Sequence, residues 1–409
     1  MSAQAPGPSG AGVTSAVKVT SKTWARDSHD LFDFEASQLT TQNFTVNKST
    51  ICIRNQGEVQ MTNEREVNPT HGDPLLRLVQ RDGTFWVDKA QPSSSSKKLW
   101  LVVRDLVSSS HRLQEGDVIK LGRFKFRVRQ LVASSCGGLQ PELRLDDSGM
   151  ICCAVEPGSA AGEGKEISKL TCRICLLEGP GEDDPLIAPC QCKGSIEYVH
   201  LGCLRHWIRG RLNLSDRPLG SYFYRPLTCE LCKSIYPTYI HTNSGQERSP
   251  LVEVPWTHPP FIVLENMVRD SQQHTTRGLH VISLAEKELK LGRGHESDVR
   301  IADVSISRTH ATIRFSKGQF LLQDNSSKFG TLVAMKKPRV LEPGVNISIQ
   351  MGRTVLTLRA EQDPNQSTAA NSLNQLPVGG SAQDERAIRL SLLTRGNSEG
   401  QPKSEEAVE

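Results

Sequence analysis

Eight side chains between Cys172 and Cys232 can ligate a metal, and they come in pairs: Cys172-x2-Cys175, Cys190-x-Cys192, His200-x2-Cys203 and Cys229-x2-Cys232. Thiolate and imidazole are ligands that zinc takes at about 2.0–2.3 Å in tetrahedral geometry, and a short spacer lets one tight turn present two of them to the same ion. Four pairs therefore make two sites. A shell of four protein ligands leaves no open position, so each ion holds a fold and does not activate water. A segment this short, with few large apolar residues, builds little core; a structural zinc, worth on the order of 10 kcal/mol, makes up the difference. Cys52, Cys136, Cys152 and Cys153 stand outside this spacing and have no assigned role.

A second group of residues, rich in charged and hydroxyl side chains, falls in the loops of a strand-rich block. Leu291-Gly292-Arg293, Asp298, Ser307-Arg308-Thr309-His310 and Asp324 to Thr331 interrupt a run of short apolar segments from His280 to Arg359.

The elements that position these residues are mostly strands. Ile347, Ile349 and Met351 alternate with Asn346, Ser348 and Gln350, the period of a half-buried strand. In the N-terminal part Leu75 to Val79, Thr84 to Val87, Leu99 to Val103, Val118 to Leu121 and Phe124 to Val128 also read as strands. The two strand-rich blocks echo each other: Thr70-His71 and Thr309-His310, Arg54 and Arg293 at one interval before those histidines, and Leu113 to Arg123 and Leu341 to Arg353. This pattern suggests duplication. The sequence divides into a disordered leader at 1–20, a β-rich domain at 21–133, a linker at 134–165, the Cys/His segment at 166–238, a linker at 239–277, a β domain at 278–360, and a disordered tail at 361–409 with a short helix near Asp384 to Leu393.

Composition bounds the partners. With 409 residues, 37% apolar and 23% charged, the chain suits several folded modules joined by polar segments. A formal charge of +4 gives no field that would make nucleic acid the main partner. No run approaches the roughly 18 apolar residues of a membrane span, so membrane insertion is not expected. The first residues lack the basic and apolar regions of a signal peptide, which points to a soluble cytoplasmic or nuclear protein with reduced thiols.

The Cys/His order, with its C-x-C second pair, closely resembles the RING-CH (RINGv) finger, and the neighbours agree: Cys172-Arg173-Ile174-Cys175, Ala188-Pro189-Cys190-Gln191-Cys192, Trp207-Ile208 and Cys229-Glu230-Leu231-Cys232-Lys233. The resemblance implies a cross-brace of two zinc ions, one held by Cys172, Cys175, His200 and Cys203, the other by Cys190, Cys192, Cys229 and Cys232. It also implies a ligase that docks a ubiquitin-charged conjugating enzyme (E2) and holds its thioester in an attack-ready pose, which is catalysis by positioning with no catalytic residue of its own. Ile174, Pro189 and Trp207 would form the apolar E2 groove, with Lys233 near where some RING fingers place a basic residue that contacts both the E2 and ubiquitin. Many RING fingers place Pro where this chain has Glu230. The related PHD finger, a chromatin-tail reader, usually has Trp two residues before the seventh ligand, where this chain has Leu227.

The block at 278–360 resembles a forkhead-associated (FHA) domain, a β-sandwich whose loops bind phosphothreonine peptides. By that resemblance Gly292, Arg293, Ser307, Arg308, Lys328, Phe329 and Gly330 form the phosphopeptide site and His310 braces its loops. A phosphothreonine carries nearly two negative charges and three acceptor oxygens, so such a site needs a fixed guanidinium, a hydroxyl and backbone N–H groups converging at a loop edge. Arg293, Ser307 and Lys328 would supply them, and Gly292, without a side chain, would let the loop approach the phosphate. Two asparagines usual in the family are Phe329 and Ala334 here. The N-terminal block reads as a degenerate copy, with Ile53 in place of Gly292 and Asn68 in place of Ser307. The expected fold is thus multidomain and mainly β: a C-terminal FHA-type antiparallel sandwich, a central two-zinc finger and an N-terminal FHA-like domain. The expected function is a RING-type ubiquitin ligase with an E2, ubiquitin and phosphothreonine-containing proteins as partners. The alternatives are a non-catalytic phospho-dependent scaffold and a PHD-like chromatin reader.

Overall fold

The computed structural model describes residues 14–26, 30–63, 72–90, 98–135, 143–144, 151–154, 166–212, 221–225, 227–242, 247–252, 257–267 and 278–362. Asn68, Thr70, His71, Cys136 and the tail with its expected helix lie outside the described residues.

The N-terminal strands are β1 (Thr14–Trp24), β2 (Leu39–Val46), β3 (Thr50–Asn55), β4 (Glu58–Thr62), β5 (Asp73–Arg81), β6 (Thr84–Lys89), β7 (Trp100–Val102), β8 (Ser110–Arg112), β9 (Val118–Leu121) and β10 (Phe124–Val132). A middle region follows, with β11 (Ile151–Cys153), β12 (Leu186–Ile187), β13 (Val199–His200), helix α1 (Leu201–Leu212), β14 (Ser221–Tyr224), β15 (Tyr239–Thr242) and β16 (Glu247–Pro250). The C-terminal strands are β17 (Phe261–Asn266), β18 (Leu279–Ser283), β19 (Leu289–Gly292), β20 (Val299–Arg300), β21 (Ala311–Ser316), β22 (Gln319–Asp324), β23 (Thr331–Ala334), β24 (Arg339–Val340), β25 (Asn346–Met351) and β26 (Thr354–Gln362). The mainly β expectation holds, and the five N-terminal strands read from the sequence correspond to β5, β6, β7, β9 and β10.

The pairing departs from a succession of separate domains. Among the described residues, one eleven-stranded sheet runs β14-β18-β17-β10-β9-β23-β7-β25-β26-β1-β2. At its centre β7 pairs with β23 through Val102↔Leu332 and Trp100↔Ala334. Outward from that pair the order is β25-β26-β1-β2 on one side and β9-β10-β17-β18 on the other. Two five-stranded sheets, β24-β6-β5-β3-β4 and β8-β22-β21-β19-β20, cover the halves with the same correspondence. The chain therefore builds two like sandwiches that exchange their last three strands: β24 to β26 complete the N-terminal one, and β8 to β10 the C-terminal one.

The cores follow this exchange. Val17, Cys52, Leu76, Phe85, Ile347, Ile349 and Leu356 share one cluster, so the first core takes residues from both ends of the sequence. Phe126, Ile119 and Val128 pack with Ile262, Leu291, Ile313 and Leu322 in the second. Burying each large side chain contributes about 1.5–3 kcal/mol, so the borrowed strands carry a large share of each core. Residues 14–20, read as leader, are more than half of β1, which pairs along β26 from Thr14↔Gln362 to Thr23↔Thr354. The expected linkers likewise contribute β11, β15, β16 and β17.

The finger enters and leaves the second sandwich between two paired strands, since β10 pairs with β17 from Val132↔Phe261 to Phe126↔Asn266. Along β17 alternate residues face opposite ways. Ile262 and Leu264 belong to the sandwich core, whereas Phe261 and Val263 join Val281, Leu204, Ile208, Leu186 and Tyr236 in a cluster with the finger. The metal-ligand segment is thus packed against the outer face of the large sheet.

Candidate functional site

The four ligand pairs converge in two clusters. Cys172, Cys175, His200 and Cys203 form one and Cys190, Cys192, Cys229 and Cys232 the other, with the ligand atoms of each cluster within 4.8 Å of one another. First and third pairs meet, as do second and fourth. Two turns of the same build present the Cys-x2-Cys pairs: Leu176 N–H donates to Cys172 O and Lys233 N–H to Cys229 O, each at 2.9 Å. Leu176 (φ 64°) and Lys233 (φ 61°) adopt the left-handed conformation that closes each turn. His200 donates from Nε2 to the Gly179 carbonyl at 2.8 Å, which leaves Nδ1, 3.3 Å from Cys175 Sγ, with its lone pair turned to the cluster.

The donor set suits a soft divalent cation. It consists of sulfur and imidazole nitrogen, with no carboxylate in either cluster. Burial pushes the Cys172 thiol up, but the N–H groups of Cys175, His200 and Ile174 outweigh it and hold it at about 6. Cys232 is held at about 6 chiefly by Ser234. In the same clusters burial pushes Cys203 and Cys192 up to about 12. Each cluster brings four such donors together, and both could hold a metal ion. Arg173 ties the two together. Its guanidinium donates to Ile196 O at 2.9 Å, to Cys190 Sγ at 3.4 Å and to the Tyr236 hydroxyl at 3.3 Å.

The four residues expected to meet an E2 differ in exposure. Ile174 is 41% exposed, and Lys233 is exposed. Pro189, expected in the groove, is buried and offers little surface to a partner. Trp207 is half-buried on α1, edge-on to Tyr236 at 6.4 Å between centroids and covered by the Arg211 guanidinium at 5.1 Å. Arg211 in turn pairs with Glu230 at 2.7 Å, so the residue that replaces the usual Pro is joined to the helix. Sequence reading missed the apolar residues flanking the ligands: Leu176, Leu177 and Leu231 are 73%, 66% and 60% exposed and Ile235 is 54% exposed. Their signal was available, since a coordination-held module has little need of apolar side chains next to its ligands.

At the C-terminal loops, β19 delivers Arg293 to the surface while its backbone N–H donates to Ser307 O at 3.1 Å. Ser307 Oγ accepts the Lys328 N–H at 3.1 Å, leaving its own proton free to donate outward. Arg308 is exposed, and its carbonyl accepts Gly294 N–H at 3.0 Å. A Cβ on Gly292 would fall 2.0 Å from that carbonyl, so the close packing of the two loops requires glycine here. His310 is fully buried; Nδ1 accepts the Ser307 N–H at 3.1 Å and Nε2 donates to Gly330 O at 3.2 Å, linking both loops. Burial lowers its pKa, which keeps the ring neutral and preserves that donor and acceptor pair. Asp324 gathers Thr331 Oγ1 at 2.6 Å and Arg104, from the crossing after β7, at 2.7 Å. Phe329 is half-buried, with its ring 6.3 Å from that of Trp24 in the other sandwich.

In the first sandwich the arginine echoing Arg293 turns inward. Arg54 binds Asp73 at 2.6 Å and Thr354 Oγ1 on β26 at 3.0 Å, which leaves its side chain 11% exposed.

Comparisons agree with the geometry. The RING-variant domain family matches residues 172–232, and the FHA domain family matches residues 289–350. Over the finger the chain is 40% identical across 62 residues to E3 ubiquitin-protein ligase MARCHF7 of Pongo abelii, covering 15% of this chain and 8% of that protein. It is 45% identical across 62 residues to E3 ubiquitin-protein ligase MARCHF8 of Xenopus tropicalis, 15% of this chain and 18% of that protein. ERAD-associated E3 ubiquitin-protein ligase DOA10 of Saccharomyces cerevisiae is 39% identical over 75 residues, 18% of this chain and 5% of that protein. The chain thus spans only a small part of these relatives' length. The ERAD-associated relative overturns the expectation of a soluble cytoplasmic or nuclear address. Among the described residues no helix is long and apolar enough to cross a membrane.

Proposed function

We propose that this protein is a RING-type E3 ubiquitin ligase whose finger binds two Zn2+ ions and docks a ubiquitin-charged E2, while its FHA loops recruit phosphothreonine-containing clients. The observation that carries the reading is the pairing of alternate ligand pairs into two clusters whose turns expose Ile174, Leu176 and Leu231. Zinc would supply only structure here, since each cluster already offers four ligands. The chain's residues then act by position: the exposed apolar side chains of the two turns receive the E2, and exposed Lys233 lies beside them to meet ubiquitin. Packing of the finger on β17 and β18 supports a fixed relation between a held client and the docked enzyme.

The test is discharge of a ubiquitin-loaded E2 by the full chain. The ligase reading expects accelerated loss of the thioester, and a fall of about tenfold or more when Leu231→Ala removes an exposed anchor or Cys175→Ser removes a ligand. A non-catalytic scaffold is favoured by the burial of Pro189 and the cover of Arg211 over Trp207. It would leave the thioester's lifetime unchanged.

A further inference from the structure

The connection between β1 and β2 carries Asp33 and Phe34 of the first sandwich onto the phosphopeptide loop of the second. The Asp33 carboxylate lies 3.3 Å from the Lys328 ammonium. The Phe34 N–H donates to the Lys328 carbonyl at 2.9 Å. Phe34 also fills the space beside Gly330, where a Cβ would meet its ring at 2.5 Å and the φ of 72° already favours glycine. The ring is fixed from both sides, edge-on to Phe32 at 4.8 Å and beneath the Arg104 guanidinium at 4.4 Å. Phe32 is 1% exposed and Asp33 6%, so this is packed structure and not a grazing contact.

The charges at the loop edge are therefore unequal. The Arg293 guanidinium is exposed and has no hydrogen-bond or ion-pair partner among the described residues, whereas Lys328 is already matched by a carboxylate. A phosphate arriving at Lys328 would have to share that ammonium with Asp33, and two anions on one cation repel.

Resting on the phosphothreonine reading above, we propose that Asp33 is a positioning residue of the phosphopeptide site. It holds the Lys328 ammonium out of the phosphate shell and leaves capture to Arg293, Ser307 and Arg308. The site is then built from both sandwiches, and Asp33 sets its charge.

The experiment measures binding of the full chain to a fluorescent phosphothreonine peptide selected from a degenerate library, with thermal unfolding of each variant as a check on folding. Lys328→Gln stays within about twofold of the parent, Arg293→Gln loses about tenfold or more, and Asp33→Asn tightens binding about fivefold by releasing Lys328. Asp33→Asn with Lys328→Gln returns to the parent's level. If Lys328→Gln costs as much as Arg293→Gln, or Asp33→Asn fails to tighten binding, the inference is overturned while the phosphothreonine reading stands. A parent that binds no phosphopeptide overturns both. Should Asp33→Asn unfold, the Lys328→Gln arm decides alone, because that side chain is half exposed.

Discussion

A single hydrogen bond decides which nitrogen of His200 can bind a metal. With Nε2 donating to Gly179 O, only Nδ1 is left for the first cluster. His200→Ala should therefore lower bound zinc from two to one per chain in mass measurement, with the second cluster intact; retention of both ions would contradict the assignment. Arg54 offers a second residue-level test. Its replacement by Ala removes the 2.6 Å contact to Asp73 and the hydrogen bond to Thr354 of β26, at a cost of about 2–3 kcal/mol in thermal or denaturant unfolding. Phosphopeptide binding should not change at temperatures where that variant is folded. At this scale the sequence was informative where chemistry is local. The ligand pairs and the loop order around Arg293 and His310 could be read because each motif spans few residues. Asp33 and Arg104 could not, since no spacing rule relates them to Lys328 and Asp324 so far along the chain.

Strands explain the other omissions. β1 eluded the period-two reading because its inward positions after Val19 are Ser21 and Thr23, buried at 0% and 2% exposure although polar. The Thr23 hydroxyl meets Thr354 Oγ1 at 3.0 Å, which makes that burial tolerable. The strands β9 and β10 were legible as strands, but their sandwich was not, because pairing partners follow from tertiary packing. Their exchange has a measurable consequence. Phe126, fully buried on β10, belongs to the core beneath the C-terminal loops, so Phe126→Ala should cost about 3–5 kcal/mol and weaken phosphopeptide binding near the melting temperature. Loss confined to the first sandwich would contradict the exchange. On β18, His280 sits between Phe126 and Phe223 at 5.9 and 4.5 Å, and burial lowers its pKa to about 4. The unfolded chain then takes up the proton first on acidification. Stability from this group is complete above the ordinary histidine value and falls as pH drops from about 6.5 toward 4. His280→Gln should flatten that part of the stability profile relative to the parent.

At the scale of the molecule, the two sandwiches and the finger depend on one another. A fragment limited to residues 278–360 keeps β18 to β23 but lacks β17 and the borrowed β8 to β10. It also carries β24 to β26 without the sheet they complete. Such a fragment should show poorly dispersed amide spectra, whereas a chain ending at Gln362 should fold. The finger is held between β10 and β17 and packed on the sheet they share, so its metals and the adjoining core should melt together. Everything proposed for E2 docking depends on the finger being closed around two metals. Native mass spectrometry of the full chain tests this most directly. The account predicts a mass increased by two zinc ions, both lost together with E2 discharge on chelation; a chain that carries fewer than two ions, or discharges the E2 equally well without them, would contradict it.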